Sequence, residues 1–82
     1  MRLVWDEPKR QQNVAKHGLD FADLTSAFFE NASNEGAKSG RFLAVGEFEG
    51  MTIIAVVFRP LGSEALSIIS MRRASKAERN RS

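Results

Sequence analysis

MTIIAVVF, residues 51–58, is a nearly continuous run of β-branched and other apolar side chains. Such a run predicts a central strand that helices cover on one face and that is partly shielded on the other. The flanking segments 41–48 and 64–71 alternate between apolar and polar residues, and short turns at 49–50 and 59–63 connect them to the central run. The three segments therefore predict an antiparallel meander with residues 51–58 in its middle.

The two ends of the chain carry helix boundary signals. Residues 2–5 read as a strand, and Asp6 is a typical N-cap from which a first helix runs to the glycine terminator Gly18. Near the other end, Ser75 and Glu78 have the spacing of a capping box, which predicts a short C-terminal helix from Lys76.

Between these ends, the sequence predicts a second helix and a mobile loop. The helix begins at Asp20 and buries a stripe formed by Phe21, Leu24 and Phe28 at helical spacing. Residues 31–40 are polar and small, which is typical of a mobile loop. The predicted fold class is α+β, with the order β-α-α-β-β-β, two helices on one side of an antiparallel sheet and a short C-terminal helix.

Composition limits the kinds of protein that this sequence can encode. Its 82 residues suffice for one small domain, expected to span residues 1–82, and the absence of cysteine excludes disulfides, thiolate zinc sites and a cysteine nucleophile. The sequence shows neither an apolar run long enough to cross a membrane nor a secretory signal pattern, so we expect a cytoplasmic protein without membrane contact. No cofactor motif or metal-ligand spacing is present, and we expect neither.

The net charge of +2 hides a strong division along the chain. Residues 1–19 carry +2, residues 20–64 carry −4 and residues 65–82 carry +4. Two basic ends around an acidic middle indicate a polyanionic partner, although a basic tail also serves simply to keep a small protein soluble.

The first basic segment offers a candidate site on its predicted helix. Lys9, Asn13 and Lys16 recur at i, i+4 and i+7 and share one helix face, with His17 at its edge. Two cations and an amide can hold a phosphodiester, and an imidazole can move a proton near neutral pH. The structural alternative is that Lys9 and Asn13 solvate the helix while Lys16 and His17 complement the negative end of its dipole.

The second basic segment joins a strand to the capped C-terminal helix. Arg72 and Arg73 would place guanidinium groups beside unpaired backbone N–H groups, an arrangement suited to phosphate. The alternative is that Arg72 pairs with an acidic neighbour while Arg73 is solvated. Arg41, at the start of a strand, and Lys76 complete the candidate substrate-binding set.

Two motifs in these segments carry a resemblance to a known family. They are W-D-x-x-K-x-x-x-N-x-x-K-H-G at residues 5–18 and I-S-x-R-R-A-S-x-x-E-R at residues 69–79. In this order they resemble the BrnT toxins of bacterial type II toxin–antitoxin systems. The resemblance implies a fold similar to RelE-type toxins, an endoribonuclease activity that blocks translation, and neutralisation by a BrnA antitoxin. The ribbon-helix-helix domain of that antitoxin would bind operator DNA, so the toxin would reach DNA only through it.

The resemblance and the residue chemistry suggest one mechanism. RNA cleavage without a metal uses the substrate 2′-hydroxyl as nucleophile, and cations stabilise the phosphorane. Arg72 and Arg73 are the candidates for charge stabilisation, and His17 or Glu78 for proton transfer. Lys9, Lys16 and the remaining candidate binding residues would position the substrate.

Two other interpretations stay open from the sequence. One is a non-catalytic module that binds RNA or protein through its basic surface, and the other is a structural partner that recruits an acidic protein. A second copy of the chain or the antitoxin would cover any apolar surface that so small a core leaves open.

Overall fold

The computed structural model describes residues 1–50 and 52–80 of the chain. In chain order, its elements are β1 (Arg2–Trp5), α1 (Glu7–His17), a 3₁₀ helix (Phe21–Asp23), α2 (Ser26–Asn31), β2 (Ser33–Gly36), β3 (Phe42–Phe48), β4 (Thr52–Leu61), β5 (Ala65–Arg73) and α3 (Lys76–Arg79). The predicted central strand is confirmed from Thr52 onward, and Met51 lies outside the described residues. None of the helices in these two ranges is long and apolar enough to cross a membrane.

The five strands form one sheet in the order β1-β5-β4-β3-β2. The meander of β3, β4 and β5 is antiparallel, with β4 in the middle as predicted. The first strand of the chain, β1, pairs in parallel with the last, β5, so the sheet is mixed rather than purely antiparallel. The predicted α+β class is confirmed, and the parallel pairing brings the two basic segments of the chain together.

One face of the sheet, called here the helix face, packs against the 3₁₀ helix and α2. Alternate residues of β4 point to it, as expected for a strand. The buried cluster consists of Phe21, Leu24, Phe28, Phe29, Ala44, Phe48, Ile54, Val56, Phe58, Leu66, Ile68 and Met71. Val45 and Ala55 are buried but lie outside this cluster, on the opposite face, here called the open face, where α3 contacts β3.

A bulge in β5 changes which residues reach each face. Val57 pairs with Ser70 and Phe58 pairs with Ile68, so Ile69 is an extra residue without a partner on β4. Before the bulge, Ile68 belongs to the helix face; after it, Ser70 lies on the open face. The next open-face position of β5 is Arg72, which is paired with Ala55.

The predicted helix from Asp20 is interrupted in the structure. Asp20 caps the 3₁₀ helix by accepting a hydrogen bond from the Ala22 N–H at 2.9 Å, and Leu24 then adopts an extended conformation. Thr25 starts α2 by accepting a hydrogen bond from the Phe28 N–H at 3.3 Å. Two side-chain caps within six residues favour two short helices over one, and the apolar stripe is buried all the same.

The prediction of a mobile loop over residues 31–40 is wrong for residues 33–36. These residues form β2, which pairs in antiparallel register with β3 from Ser33↔Val45 to Gly36↔Phe42. The segment has no apolar alternation because it is an edge strand, where polar and small residues are common. Its pairing is determined by the free edge of β3, a tertiary contact that local sequence does not reveal.

Close packing of α2 on the sheet depends on Gly46 in β3. A Cβ atom at this position would lie 3.1 Å from Ala32 Cβ and 3.3 Å from a ring carbon of Phe28. The missing side chain therefore allows the end of α2 to approach the strand backbone.

Candidate functional site

The first predicted group of site residues lines a cleft between α1 and β5. This α1–β5 cleft has a volume of about 250 Å³, and its lining residues are Lys9, Gln12, Asn13, Lys16, His17, Ile69 and Ser70. Lys9 and Lys16 are exposed, whereas His17 is half-buried. The helical spacing therefore brings both cations and the imidazole to one place, because residues three and four apart share a helix face.

Asn13 lies in this group but its amide is fully engaged by the backbone. The residue is buried, with 7% of its surface exposed. Its Nδ2 donates to the carbonyls of Leu19 and Met71, each at 2.9 Å, and its Oδ1 accepts from the Met71 N–H at 3.1 Å. Strand β1 stops pairing at Ile68, so the Asn13 amide satisfies the edge of β5 just beyond that point. This geometry makes Asn13 a structural residue and leaves neither amide hydrogen for a phosphate.

Arg72 and Glu78 form a bidentate ion pair on the open face. The two guanidinium nitrogens lie 2.7 and 2.9 Å from the two carboxylate oxygens of Glu78. One of those oxygens also accepts from the Ser75 N–H at 2.8 Å, which completes the predicted capping box of α3. Hydrogen bonding from Arg72 lowers the pKa of Glu78 to about 2, and the same contact raises the pKa of Arg72. Glu78 is therefore a weak base whose main effect is to orient Arg72.

Arg72 shares the open face with the floor of the α1–β5 cleft. Ser70 and Arg72 are two residues apart on β5, so their side chains leave the strand on the same side. The Arg72 side chain is 38% exposed despite its ion pair. The open face thus presents a lysine-lined cleft at α1 with an arginine further along its floor strand. Ser70 was not among the predicted site residues, although alternation from Arg72 could have identified it.

Arg73 leaves β5 toward the other side of the sheet, because it is paired with Ile54, a residue of the helix face. It is exposed, and together with Arg79 and Thr52 it lines a separate cleft of about 200 Å³ at the end of the sheet. The prediction that Arg72 and Arg73 converge on one phosphate site is therefore wrong, because the register of β5 places their side chains on opposite faces of the sheet. Adjacent residues of a strand point to opposite faces.

The remaining two candidates lie outside the α1–β5 cleft. Arg41 is in the tight connection between β2 and β3, where its backbone N–H donates to the Lys38 carbonyl at 3.2 Å. It directly precedes β3, which lies two strand spacings from β5, about 10 Å across the sheet. Lys76 is the exposed first residue of α3.

A polar network that the sequence analysis missed fixes the start of α1. The Arg10 Nε donates to both carboxylate oxygens of Glu7, at 3.0 and 2.8 Å, and Arg10 also donates to Asp20 at 2.9 Å. The Trp5 indole N–H donates to Glu7 at 3.3 Å. Hydrogen bonding from Arg10 lowers the pKa of Glu7 to about 2. The i, i+3 spacing of Glu7 and Arg10 is a signal that could have found this pair.

The open-face arrangement has a definite chemical capacity. Two ammonium groups and a guanidinium can hold and neutralise phosphate oxygens, and an imidazole and a hydroxyl beside them can exchange protons. Among residues 1–50 and 52–80, no three His, Asp or Glu side chains gather as a metal site requires.

Comparison with known proteins places these features in context. Residues 5–78 match the family described as "Ribonuclease toxin, BrnT, of type II toxin-antitoxin system". The structure is similar to the crystal structure of the Brucella abortus ribonuclease toxin BrnT, with a TM-score of 0.88 and 62% sequence identity over 93% of this chain and 99% of that one. A comparison with curated protein sequences gives no match. The RelE-like description of the fold stays a prediction.

Proposed function

Because the chain belongs to the BrnT family of ribonuclease toxins of type II toxin–antitoxin systems, we propose that it cleaves RNA at the α1–β5 cleft. The observation that carries the proposal is the convergence of Lys9, Lys16 and His17 in one cleft. Arg72 supports it, since this half-exposed guanidinium lies on the same face of the sheet.

The proposed reaction is an internal transesterification that needs no metal. The substrate 2′-oxygen forms a bond to the adjacent phosphorus while the bond from phosphorus to the 5′-oxygen breaks. A base takes the proton of the 2′-hydroxyl, and an acid gives a proton to the leaving 5′-oxygen. The products are one fragment that ends in a 2′,3′-cyclic phosphate and another that begins with a 5′-hydroxyl, and the cut lies within the RNA chain.

The cleft residues divide these tasks among themselves. His17 takes the proton of the 2′-hydroxyl, because imidazole exchanges protons near neutral pH; a solvent water protonates the leaving 5′-oxygen and regains a proton from the His17 imidazolium. Lys9 and Lys16 hold the backbone phosphates, and Arg72 stabilises the negative charge of the phosphorane. Glu78 orients Arg72 and does not move protons, because a carboxylate with a pKa of about 2 is a poor acceptor. The remaining candidates bind flanking parts of the RNA; they are Arg73, Arg41 and Lys76.

We also propose the biological setting that the family resemblance implies. The chain acts in the cytoplasm, cleaves RNA and so inhibits translation. Its partner is a BrnA-type antitoxin with a ribbon-helix-helix domain, and operator DNA is contacted through that antitoxin. A short neighbouring gene that encodes a ribbon-helix-helix protein would support this setting, and the absence of such a gene beside the toxin gene would contradict it.

The 2′-hydroxyl mechanism is tested with a matched pair of oligonucleotides. Purified protein is incubated, in buffer containing EDTA, with an RNA that it cuts and with the same RNA carrying one 2′-deoxyribose at the cut site. We expect cleavage of the first to a cyclic phosphate product and no cleavage of the second. Cleavage of the deoxy substrate, or loss of activity in EDTA, would contradict the mechanism. Binding of both without any product would favour the non-catalytic binding module.

Single substitutions test the assignment of residues. We expect His17→Ala and Arg72→Ala each to lower the cleavage rate by about 10²–10³-fold, the usual cost of losing a proton-transfer group or a charge stabiliser. Arg73→Ala, the neighbouring arginine on the opposite face, should cost less than about tenfold. The exposed Arg2→Ala at β1 is a control that should leave the rate unchanged. Equal losses from Arg72→Ala and Arg73→Ala would contradict the assignment.

A further inference from the structure

An apolar groove lies beside α2, on the helix face and therefore across the sheet from the α1–β5 cleft. Its volume is about 280 Å³, and Met1, Phe29, Glu30, Phe58 and Leu66 contribute to its walls. The groove exists because α2 is short. Six helical residues extend about 9 Å, whereas the ten residues of β4 extend about 33 Å, so one end of the sheet stays uncovered.

The groove continues into an exposed apolar surface. Phe42 is 37% exposed and stacks on Phe58, with ring centroids 5.8 Å apart. Met1 is 64% exposed, yet its position is fixed, because the Ser26 hydroxyl donates to its carbonyl at 3.0 Å. A cluster of exposed apolar side chains around a preformed groove is typical of a surface that receives anchor residues of a protein partner.

The charge of the groove indicates which class of molecule it can bind. Glu30 is the one charged side chain among its lining residues, and within residues 1–50 and 52–80 no ion pair of Glu30 is present. Apolar walls with a carboxylate disfavour RNA, which needs cations. A symmetric contact with a second copy would bring two Glu30 side chains together, and like charges repel. A protein segment with apolar anchors and a lysine or arginine satisfies both the walls and the carboxylate.

We propose that this groove binds the antitoxin, through a segment that places apolar side chains against Phe58 and Phe42 and a basic side chain against Glu30. The inference rests on the proposed function only in assuming that the chain has a protein antitoxin. It assigns the antitoxin an anchoring surface separate from the α1–β5 cleft. The part of the antitoxin that is bound in the groove contacts neither Lys16 nor His17, because both of these residues line the α1–β5 cleft.

The test measures binding of the product of the neighbouring antitoxin gene to purified toxin variants by titration calorimetry. We expect Glu30→Arg and Phe42→Ser each to weaken binding at least tenfold, and the milder Glu30→Gln to weaken it less than Glu30→Arg. Glu47→Arg, which reverses an exposed carboxylate outside the groove, serves as the matched control and should bind within about twofold of the unchanged chain. Circular dichroism and thermal unfolding establish that each variant is folded.

Three results would overturn the proposal. The first is unchanged antitoxin affinity in folded Glu30→Arg and Phe42→Ser variants, and the second is an equal loss in Glu47→Arg. The third is a dimer of the toxin alone that Phe42→Ser dissociates, since a second copy would then occupy the groove. RNA cleavage by the same variants in the absence of antitoxin should be unchanged. Failure of the unchanged chain to cleave RNA would count against the proposed function and not against the groove.

Discussion

Asn13 shows how one residue can look like a ligand-binding group in sequence and be structural in three dimensions. Its position between Lys9 and Lys16 on α1 suggests phosphate binding, but its amide bonds to both backbone groups of Met71. The pairing of β1 with β5 ends at Ile68, and the Asn13 amide makes hydrogen bonds to Met71 of the kind that a further residue of β1 would have made. By holding α1 against β5, Asn13 positions the two lysines and His17 without touching substrate.

Replacing Asn13 tests this structural role. We expect Asn13→Ala to lower the free energy of unfolding by about 2–4 kcal/mol, because the N–H and C=O of Met71 lose their partner in a buried site. Urea unfolding followed by circular dichroism measures the change. Gln11→Ala, at an exposed position of the same helix, is the control and should change stability by less than about 0.5 kcal/mol. A similar small change for both variants would contradict the structural role of Asn13.

At the scale of elements, α3 is held by a few polar contacts. The helix has four residues and none of them is buried. So short a helix is not stable alone, and its attachment depends on the capping box and on the ion pair between Glu78 and Arg72. Since α3 contacts β3 on the open face, these polar contacts also hold the helix over part of that face.

The ion pair predicts a pH dependence of stability. The pKa of Glu78 is about 2 in the folded chain against 4.5 ordinarily, so ionised Glu78 stabilises the fold fully above about pH 4.5 and loses this effect as the pH falls toward 2. We expect the difference in unfolding free energy between the unchanged chain and Glu78→Gln to be on the order of 1 kcal/mol at pH 6, after allowance for the exposure of Arg72, and to shrink toward zero near pH 2.

Urea unfolding at several pH values measures this difference. Glu7 titrates in the same range, because its pKa is also about 2, but it does so in both chains and cancels from the comparison. A difference between the two chains that stays constant from pH 6 to pH 2 would show that the ion pair does not stabilise the fold.

Local signals predicted the elements that depend on local contacts. The bounds of α1, the left-handed Gly18 at its end and the capping box of α3 follow from neighbouring residues, and the structure confirms them. Strand β2 and the parallel pairing of β1 with β5 depend on which edges remain free after the meander has formed. No window of sequence contains that information.

The same distinction applies to the candidate site. The spacing of Lys9, Lys16 and His17 follows from helix geometry, so their meeting in one cleft could be predicted. Which of the two adjacent arginines reaches the open face depends on the unpaired residue Ile69 in β5. Whether Arg72 pairs with an acidic residue depends on where α3 folds back, and the sequence is compatible with either outcome.

For the whole molecule, the parallel pairing of β1 with β5 turns the division of charge along the sequence into a division of charge in space. Segments 1–19 and 65–80 are far apart in sequence, but their strands β1 and β5 are neighbours in the sheet and α1 contacts β5, whereas α3 reaches across the open face to β3. The acidic middle contains α2, β2, β3 and the central strand β4, and β2 and β3 form the opposite side of the sheet. A polyanion is therefore attracted to the side that carries the α1–β5 cleft and not to the groove lined by the Glu30 carboxylate.

This division predicts the salt dependence of RNA binding. The RNA used is single-stranded and carries a 2′-deoxyribose at the cut site, so that it binds without being cleaved. The logarithm of its association constant decreases linearly with the logarithm of the salt concentration, and the steepness of this decrease should be smaller by about 0.7 for each phosphate that the protein no longer neutralises. We expect Lys9→Ala and Lys16→Ala each to reduce the slope by about this amount, as measured by fluorescence anisotropy at several salt concentrations. Lys38→Ala, an exposed lysine in the β2–β3 connection, should leave the slope unchanged. An equal reduction by all three variants would indicate diffuse attraction and no defined cleft.

The extra residue Ile69 has a consequence for transferring residue roles between relatives. Even-numbered residues of β5 point to the helix face up to Ile68, and odd-numbered residues point to it from Met71 onward. Two adjacent arginines follow this change of parity, so a one-residue gap placed on the wrong side of them in an alignment exchanges Arg72 for Arg73 without any visible mismatch. An alignment of such chains is therefore reliable here only when it is anchored on Glu78, the partner that distinguishes the two arginines.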